Sequence, residues 1–255
     1  MRWLLSVLFA FAAIPLHAEQ INVAAASDLN FAIQEIIQQF ELETGHKVRL
    51  TLGSSGNFYA QISNGAPFDV FLSADVANPR QLEATGRAVP GSTFIYGVGG
   101  IAIWAPKTSR LNLDSLGMKA LLDPSVKKIA IANPDHAPYG RAAVAAMRQA
   151  GVYDQVRKKL VLGENISQAA QFVQSGTANL GIISLSIAMS APMGASGSYW
   201  IIPRKNYPPL EQGAVLLKNA GPAGKSFYDW LRSAPAKKIF EKHGFTIGLN
   251  TDTQR

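Results

Sequence analysis

Apolar positions along the chain follow two periods in alternation. Residues 21–26, Ile-Asn-Val-Ala-Ala-Ala, are a short apolar run with the length of a strand buried on both faces. Phe31, Ile33, Ile36, Ile37 and Phe40 then recur at helical spacing, which predicts a helix over residues 31–42 that Gly45 stops. A second strand is expected at residues 48–52, a tight turn at Gly53-Ser54-Ser55-Gly56, a short helix at 57–63 and a third strand at 69–73. Residues 94–104 are apolar and extended but carry Gly97, Gly99 and Gly100, the pattern of a chain crossing between two lobes.

The second half repeats this grammar. Strands are expected at residues 128–132, 159–162 and 179–184, with helices at 139–150, ended by Gly151, and at 166–174. Residues 207–218 return as an extended segment, and residues 225–240 read as a closing helix. Strands alternating with helices imply an α/β fold with parallel-rich sheets.

Ligands of open α/β sheets bind beyond the carboxyl ends of the strands, where helices begin. Four such junctions carry small or polar residues: Ala26-Ser27-Asp28, Gly53-Ser54-Ser55-Gly56, Ala137-Pro138-Tyr139-Gly140 and Glu164-Asn165-Ile166-Ser167. A helix start presents unpaired N–H groups at the positive end of its dipole, and serine hydroxyls add neutral donors. Converging helix starts bind an anion without a formal cation. The bland alternative stays open at each junction, because Ser, Asp and Asn are ordinary N-caps.

Composition narrows the setting. Arg2 precedes an apolar stretch, residues 4–15, followed by Leu16-His17-Ala18, which is the layout of a secretory signal peptide over residues 1–18. That stretch is shorter than the ~20 apolar residues of a membrane span. There is no cysteine, so a thiolate metal site is excluded, and the four histidines show no zinc-binding spacing. The net charge of +7 comes from dispersed pairs such as Lys127-Lys128, Lys158-Lys159 and Lys237-Lys238, a solvated surface without the aromatic interleaving that nucleic acid needs.

Taken in order, several stretches resemble the periplasmic molybdate-binding proteins of ABC importers. They are Val23-Ala24-Ala25-Ala26-Ser27-Asp28-Leu29, Gly53-Ser54-Ser55-Gly56, and Gly65-Ala66-Pro67-Phe68-Asp69-Val70-Phe71-Leu72-Ser73-Ala74-Asp75. Asn133-Pro134, His136-Ala137-Pro138-Tyr139-Gly140, Gly176-Thr177-Ala178-Asn179-Leu180-Gly181-Ile182-Ile183-Ser184, Lys238-Ile239-Phe240 and Gly244-Phe245 follow. The resemblance implies two lobes joined by two crossover strands, residues 19–98 with 208–255 and residues 99–207. It implies an oxyanion, molybdate or tungstate, buried between them, with no cofactor and no catalysis. Ser27 and Ser55 would donate through hydroxyl and N–H, Asp28 through its N–H alone, and Tyr139 and Ile166 through N–H. Ser184 stands where some members place a tyrosine donor, and its side chain is shorter. The implied partner is a membrane permease, and the implied state is a periplasmic monomer.

Two rivals remain at this level: a carrier of sulfate or another oxyanion on the same architecture, and an exported serine-dependent hydrolase. Ser55 lacks the GxSxG elbow of such hydrolases. Gly221-Pro222-Ala223-Gly224-Lys225-Ser226 mimics a phosphate loop but has Asn219 where the Walker spacing requires glycine, so it is expected only to start a helix. Gly97-Val98-Gly99-Gly100 reads as a hinge, His136 as a surface loop residue, and Phe227 with Trp230 as core.

Overall fold

The computed structural model describes residues 19–248, so the expected signal peptide lies outside the described residues. No helix among these residues is long and apolar enough to cross a membrane. The chain runs β1 (Gln20–Ala26), α1 (Asn30–Thr44), β2 (Lys47–Gly53), α2 (Ser55–Ser63), β3 (Val70–Ser73), α3 (Ala77–Ala84) and β4 (Phe94–Gly99). It continues through β5 (Ile101–Pro106), α4 (Leu113–Leu116), β6 (Ile129–Ala132), α5 (Pro138–Gln149), α6 (Tyr153–Val156), β7 (Leu160–Gly163), α7 (Ile166–Gln174) and β8 (Leu180–Ser184). It closes with α8 (Leu185–Ala188), α9 (Ala191–Ser196), β9 (Gly197–Ile201), β10 (Leu210–Leu216), α10 (Pro222–Trp230) and α11 (Ala234–Lys242).

Two five-stranded sheets result, ordered β2-β1-β3-β10-β4 and β7-β6-β8-β5-β9. In each, a central strand pairs in parallel with two neighbours: β1 with β2 and β3, and β6 with β7 and β8. The other two pairings in each sheet are antiparallel, and they involve the strands next to the passages between lobes. The sheets are therefore mixed, parallel on the side where βα units repeat and antiparallel where the chain changes lobe. Each lobe has its own core. In the first, Phe40 packs edge-on against Phe227 at 5.0 Å. In the second, Trp104, Ile129, Ile131 and Met147 are fully buried.

The expected extended segment 94–104 proves to be two strands of different sheets. β4 ends at Gly99 in the first sheet, and β5 begins at Ile101 in the second. The return passage leads from β9 to β10, which inserts antiparallel between β3 and β4. Gly45 takes a left-handed φ of 74° at the end of α1, as its role of helix stop requires.

The expected closing helix 225–240 is instead two helices. Ser233 caps the second by accepting from the Ala236 N–H at 3.3 Å, and Pro235 in its first turn has no N–H to continue the first. Strand β9 escaped the hydrophobic pattern because it is a partly exposed edge strand, paired only with β5. Gly221 and Pro222 open α10, an ordinary helix start rather than a nucleotide loop.

Candidate functional site

Strand register sets the site. The parallel pairing aligns Ala26 with Gly53, and likewise Ala132 with Gly163, so each pair of chains leaves its sheet at a common level. Ser27 begins a single 3₁₀ turn, Ser27–Leu29, that runs into α1; Ser55, Pro138 and Ile166 begin α2, α5 and α7. The four junctions meet around one small cavity. Its lining holds Ser27, Asp28, Ser54, Ser55, Tyr139, Asn165 and Ile166, with small residues between them and no Lys, Arg or His.

Ser27, Asp28, Ser55, Tyr139 and Ile166 are thus brought together, although they are up to 139 positions apart in the chain. Ser184 is not among the lining residues. It is fully buried, and its Oγ caps α8 by accepting from the Ile187 N–H at 3.3 Å and from the Ser186 hydroxyl at 3.1 Å.

The capping geometry bears on the ordinary N-cap alternative. Asn165 is such a cap, its Oδ1 accepting from the Gln168 N–H at 3.0 Å. The other three starts have no side-chain cap. Ser54 occupies the N-cap position of α2 but turns its hydroxyl across the cleft, to the His136 carbonyl at 2.7 Å. Amides in the first turn of a helix have no intrahelical acceptor. Ser55 and Tyr139 both line the cavity, and the helix starts they belong to have no capping side chain at the positive end of the dipole. Ser55 Oγ accepts from the Ala74 N–H at 2.9 Å, which leaves its own proton to donate.

The lobes are in contact around this cavity. Ser27 Oγ donates to Asn165 Oδ1 at 3.2 Å, and the Ser167 hydroxyl donates to the Ser27 carbonyl at 2.9 Å. The Gly56 N–H donates to the His136 carbonyl at 2.9 Å, and Arg141 pairs with Asp75 at 2.9 Å. Asn57 also bonds Glu164. His136, expected as a plain surface loop residue, is therefore part of the closure. The hydrophobic pattern carried no signal for that role, since its carbonyl does the work.

Behind the cavity lies a buried polar network. The Tyr139 hydroxyl donates to Asp28 Oδ2 at 2.9 Å, and Gln212 Nε2 donates to the same oxygen at 2.9 Å and to the Tyr139 oxygen at 2.7 Å. The Tyr96 hydroxyl lies 2.7 Å from Gln212 Oε1 and 3.0 Å from the Ser73 carbonyl. Asp28 is 1% exposed, and its Oδ1 has no hydrogen-bond partner. Burial raises its pKa to about 6, against the lowering effect of the bonds from Gln212 and Tyr139 and of the nearby Asp28 and Leu29 backbone amides. Burial, and then the Asp28 charge, push the Tyr139 and Tyr96 hydroxyls well above 10, so both stay neutral. Gln212 and Tyr96 went unread in the sequence, because a glutamine and a tyrosine in apolar strands announce no partner.

Comparison with known proteins places this arrangement. The chain matches the family described as bacterial extracellular solute-binding protein over residues 21–246. It is 40% identical over 235 residues to the molybdate-binding protein ModA of Rhodobacter capsulatus, covering 91% of this chain and 90% of that protein. It is 38% identical over 232 residues to ModA of Azotobacter vinelandii, covering 90% and 91% respectively. Among solved structures, the periplasmic molybdate-binding protein of Azotobacter vinelandii superposes with a TM-score of 0.83 at 33% identity, covering 89% of this chain and 99% of that one.

Proposed function

The chain belongs to the bacterial extracellular solute-binding proteins, and from that membership we propose that it captures a tetrahedral oxyanion, molybdate or tungstate, between its lobes. It then hands the ion to the membrane permease of an ABC importer. The protein is exported by the leader at residues 1–18 and works as a periplasmic monomer. The lobes divide close to the expected bounds, residues 19–99 with 208–248 forming one and residues 100–207 the other, while residues 249–255 lie outside the described residues. One observation carries the reading: Ser27, Ser55, Tyr139 and Ile166, from four strand-to-helix junctions in two lobes, line a single cavity whose donors are amides and hydroxyls. No reaction is required, only hinge closure.

Selectivity follows from donor chemistry. A fully deprotonated dianion accepts from every side, whereas the proton of hydrogen phosphate needs an acceptor. Left unpaired, such a buried proton costs about 1–3 kcal/mol. Asp28 is the one carboxylate in the lining. Its Oδ2 is already held by Tyr139 and Gln212, and with Oδ1 otherwise free to accept, hydrogen phosphate is refused only when Oδ1 itself carries a proton.

A serine-dependent hydrolase has a superficial counterpart at the rim, where His136 Nδ1 lies 2.9 Å from Ser54 Oγ and His136 Nε2 lies 3.7 Å from Glu164. The Ser54 proton, however, goes to the His136 carbonyl, so the ring meets Ser54 as a donor rather than as a base. The group works as a clasp between lobes.

Calorimetric titration of the purified protein with molybdate, tungstate, sulfate and phosphate tests the proposal. Saturable one-to-one binding of molybdate and tungstate, much tighter than that of sulfate or phosphate, is the expected result. A preference for sulfate would transfer the chain to the rival class of carriers, and ester turnover abolished by Ser54→Ala would favour the hydrolase.

A further inference from the structure

We propose that Asp28 takes up a proton as the dianion enters the cleft, so that the chain captures its guest as one oxyanion together with one proton. The inference rests on the oxyanion reading above and extends it to the chemistry of binding.

The geometry supplies the reason. The Asp28 carboxyl is buried in the lining shared with Ser27, Ser55, Tyr139 and Ile166. Oδ2 receives two hydrogen bonds, from Tyr139 and Gln212, while Oδ1 is buried without a partner. An unpartnered carboxylate oxygen beside a guest that only accepts hydrogen bonds is doubly unfavourable: like charges meet, and a buried acceptor stays unsatisfied. A proton on Oδ1 removes both faults. The acid O–H replaces an unsatisfied acceptor with a donor, and Oδ2 keeps its two bonds because the carbonyl oxygen of a neutral carboxyl still accepts. The proton comes from solvent and ends on Oδ1; the oxyanion keeps both of its charges.

No cation among the side chains packed against the carboxyl supplies another remedy. α5 brings Tyr139, β4 brings Tyr96 and β10 brings Gln212, none of them cationic. α7 and α8 carry no titratable side chain. Asp75, which follows β3, is paired with Arg141, and the rim holds His136 with Glu164. Burial already places the carboxyl at about 6, and a neighbouring dianion moves it further the same way. Between that value and the higher one in the complex, binding takes up close to one proton, so affinity falls as pH rises.

The test is calorimetric titration with molybdate between roughly pH 6.5 and 8.5, in paired buffers of different ionisation enthalpy. Uptake of about one proton and a decline of about tenfold in affinity per pH unit are expected. Asp28→Asn should flatten the pH profile and abolish uptake, while His136→Gln should keep both. Should Asp28→Asn fail to fold, the proton inventory of the unaltered protein decides alone. Molybdate binding with a flat profile and no uptake overturns the inference and leaves the oxyanion reading standing. A slope that survives in Asp28→Asn, or vanishes in His136→Gln, also overturns it. Failure to bind molybdate, tungstate or sulfate at any pH removes the oxyanion reading, and the inference with it.

Discussion

Tyr139→Phe isolates the contribution of one hydroxyl to closure. The main-chain N–H of Tyr139, the proposed ligand donor, is untouched, and phenylalanine fills nearly the same volume. What is lost is the bond to Asp28 Oδ2 at 2.9 Å and the acceptor for Gln212 Nε2 at 2.7 Å. Neither partner is orphaned, since Gln212 and Asp28 still hold each other at 2.9 Å. The loss is therefore that of one buried hydrogen bond to a carboxyl, about 1–3 kcal/mol depending on its charge. Tyr139 starts a helix beside the second sheet and Asp28 follows a strand of the first, so on the proposed hinge closure the bond belongs to the closed form alone and water replaces it on opening. The cost consequently falls on ligand affinity, which should weaken about 5- to 150-fold at 1.4 kcal/mol per factor of ten. Most of that should reside in the dissociation rate, because the bond forms after encounter. Calorimetry gives the affinity and stopped-flow release the rate, with a thermal melt to check the fold. Unchanged affinity in a well-folded variant would refute the idea that this network holds the lobes together.

Other expectations follow from the same geometry. Ser27→Ala and Ser55→Ala should each weaken oxyanion binding, and Ser55→Ala should also lower stability by about 1–3 kcal/mol, because the Ala74 N–H loses its buried acceptor; calorimetry and urea melts separate the two effects. Gly140→Ala should destabilise the fold by about 1–3 kcal/mol or more, since a Cβ there would lie 2.2 Å from the Ala132 carbonyl and 2.8 Å from the Pro134 nitrogen, a clash read by denaturant melts and soluble yield. Asp28, lifted from its ordinary 3.8 to about 6, binds its proton more tightly folded than unfolded. Its contribution is thus fully present below about pH 4 and is lost as pH rises through about 6, amounting to about 3 kcal/mol. Comparing melts of the unaltered protein and Asp28→Asn across pH 4–7 isolates it; a difference that does not grow with pH would contradict the burial argument.

Local pattern carried much of the architecture. Helices begin where small or polar residues interrupt apolar strands, and all four junctions read from the chain lie at one cavity. Periodicity succeeded there because β1 and β6 are short apolar runs buried almost throughout, as at Ile129–Ala132, and the α1 helix is marked by its own apolar positions. It failed where burial is partial or where two effects compete. Edge strand β9 is only partly buried, so its short run Tyr199-Trp200-Ile201 lacks the surroundings of a core strand, and Pro235 with Ser233 outweighs the helical spacing that spans residues 225–240.

The chain alone thus determined most of the strands, the longer helices of the βα units and the short stretches that could supply donors, because those properties depend on neighbours a few residues away. Only the folded molecule decided which donors meet, that Ser184 spends its hydroxyl capping α8, and that Asp28 is held by Tyr139 and Gln212. Those outcomes depend on strand register and lobe closure, which bring together Asp28 and Gln212 from positions 184 apart. No local pattern records a separation of that kind, since the energy of such a contact exists only once both elements are packed in place.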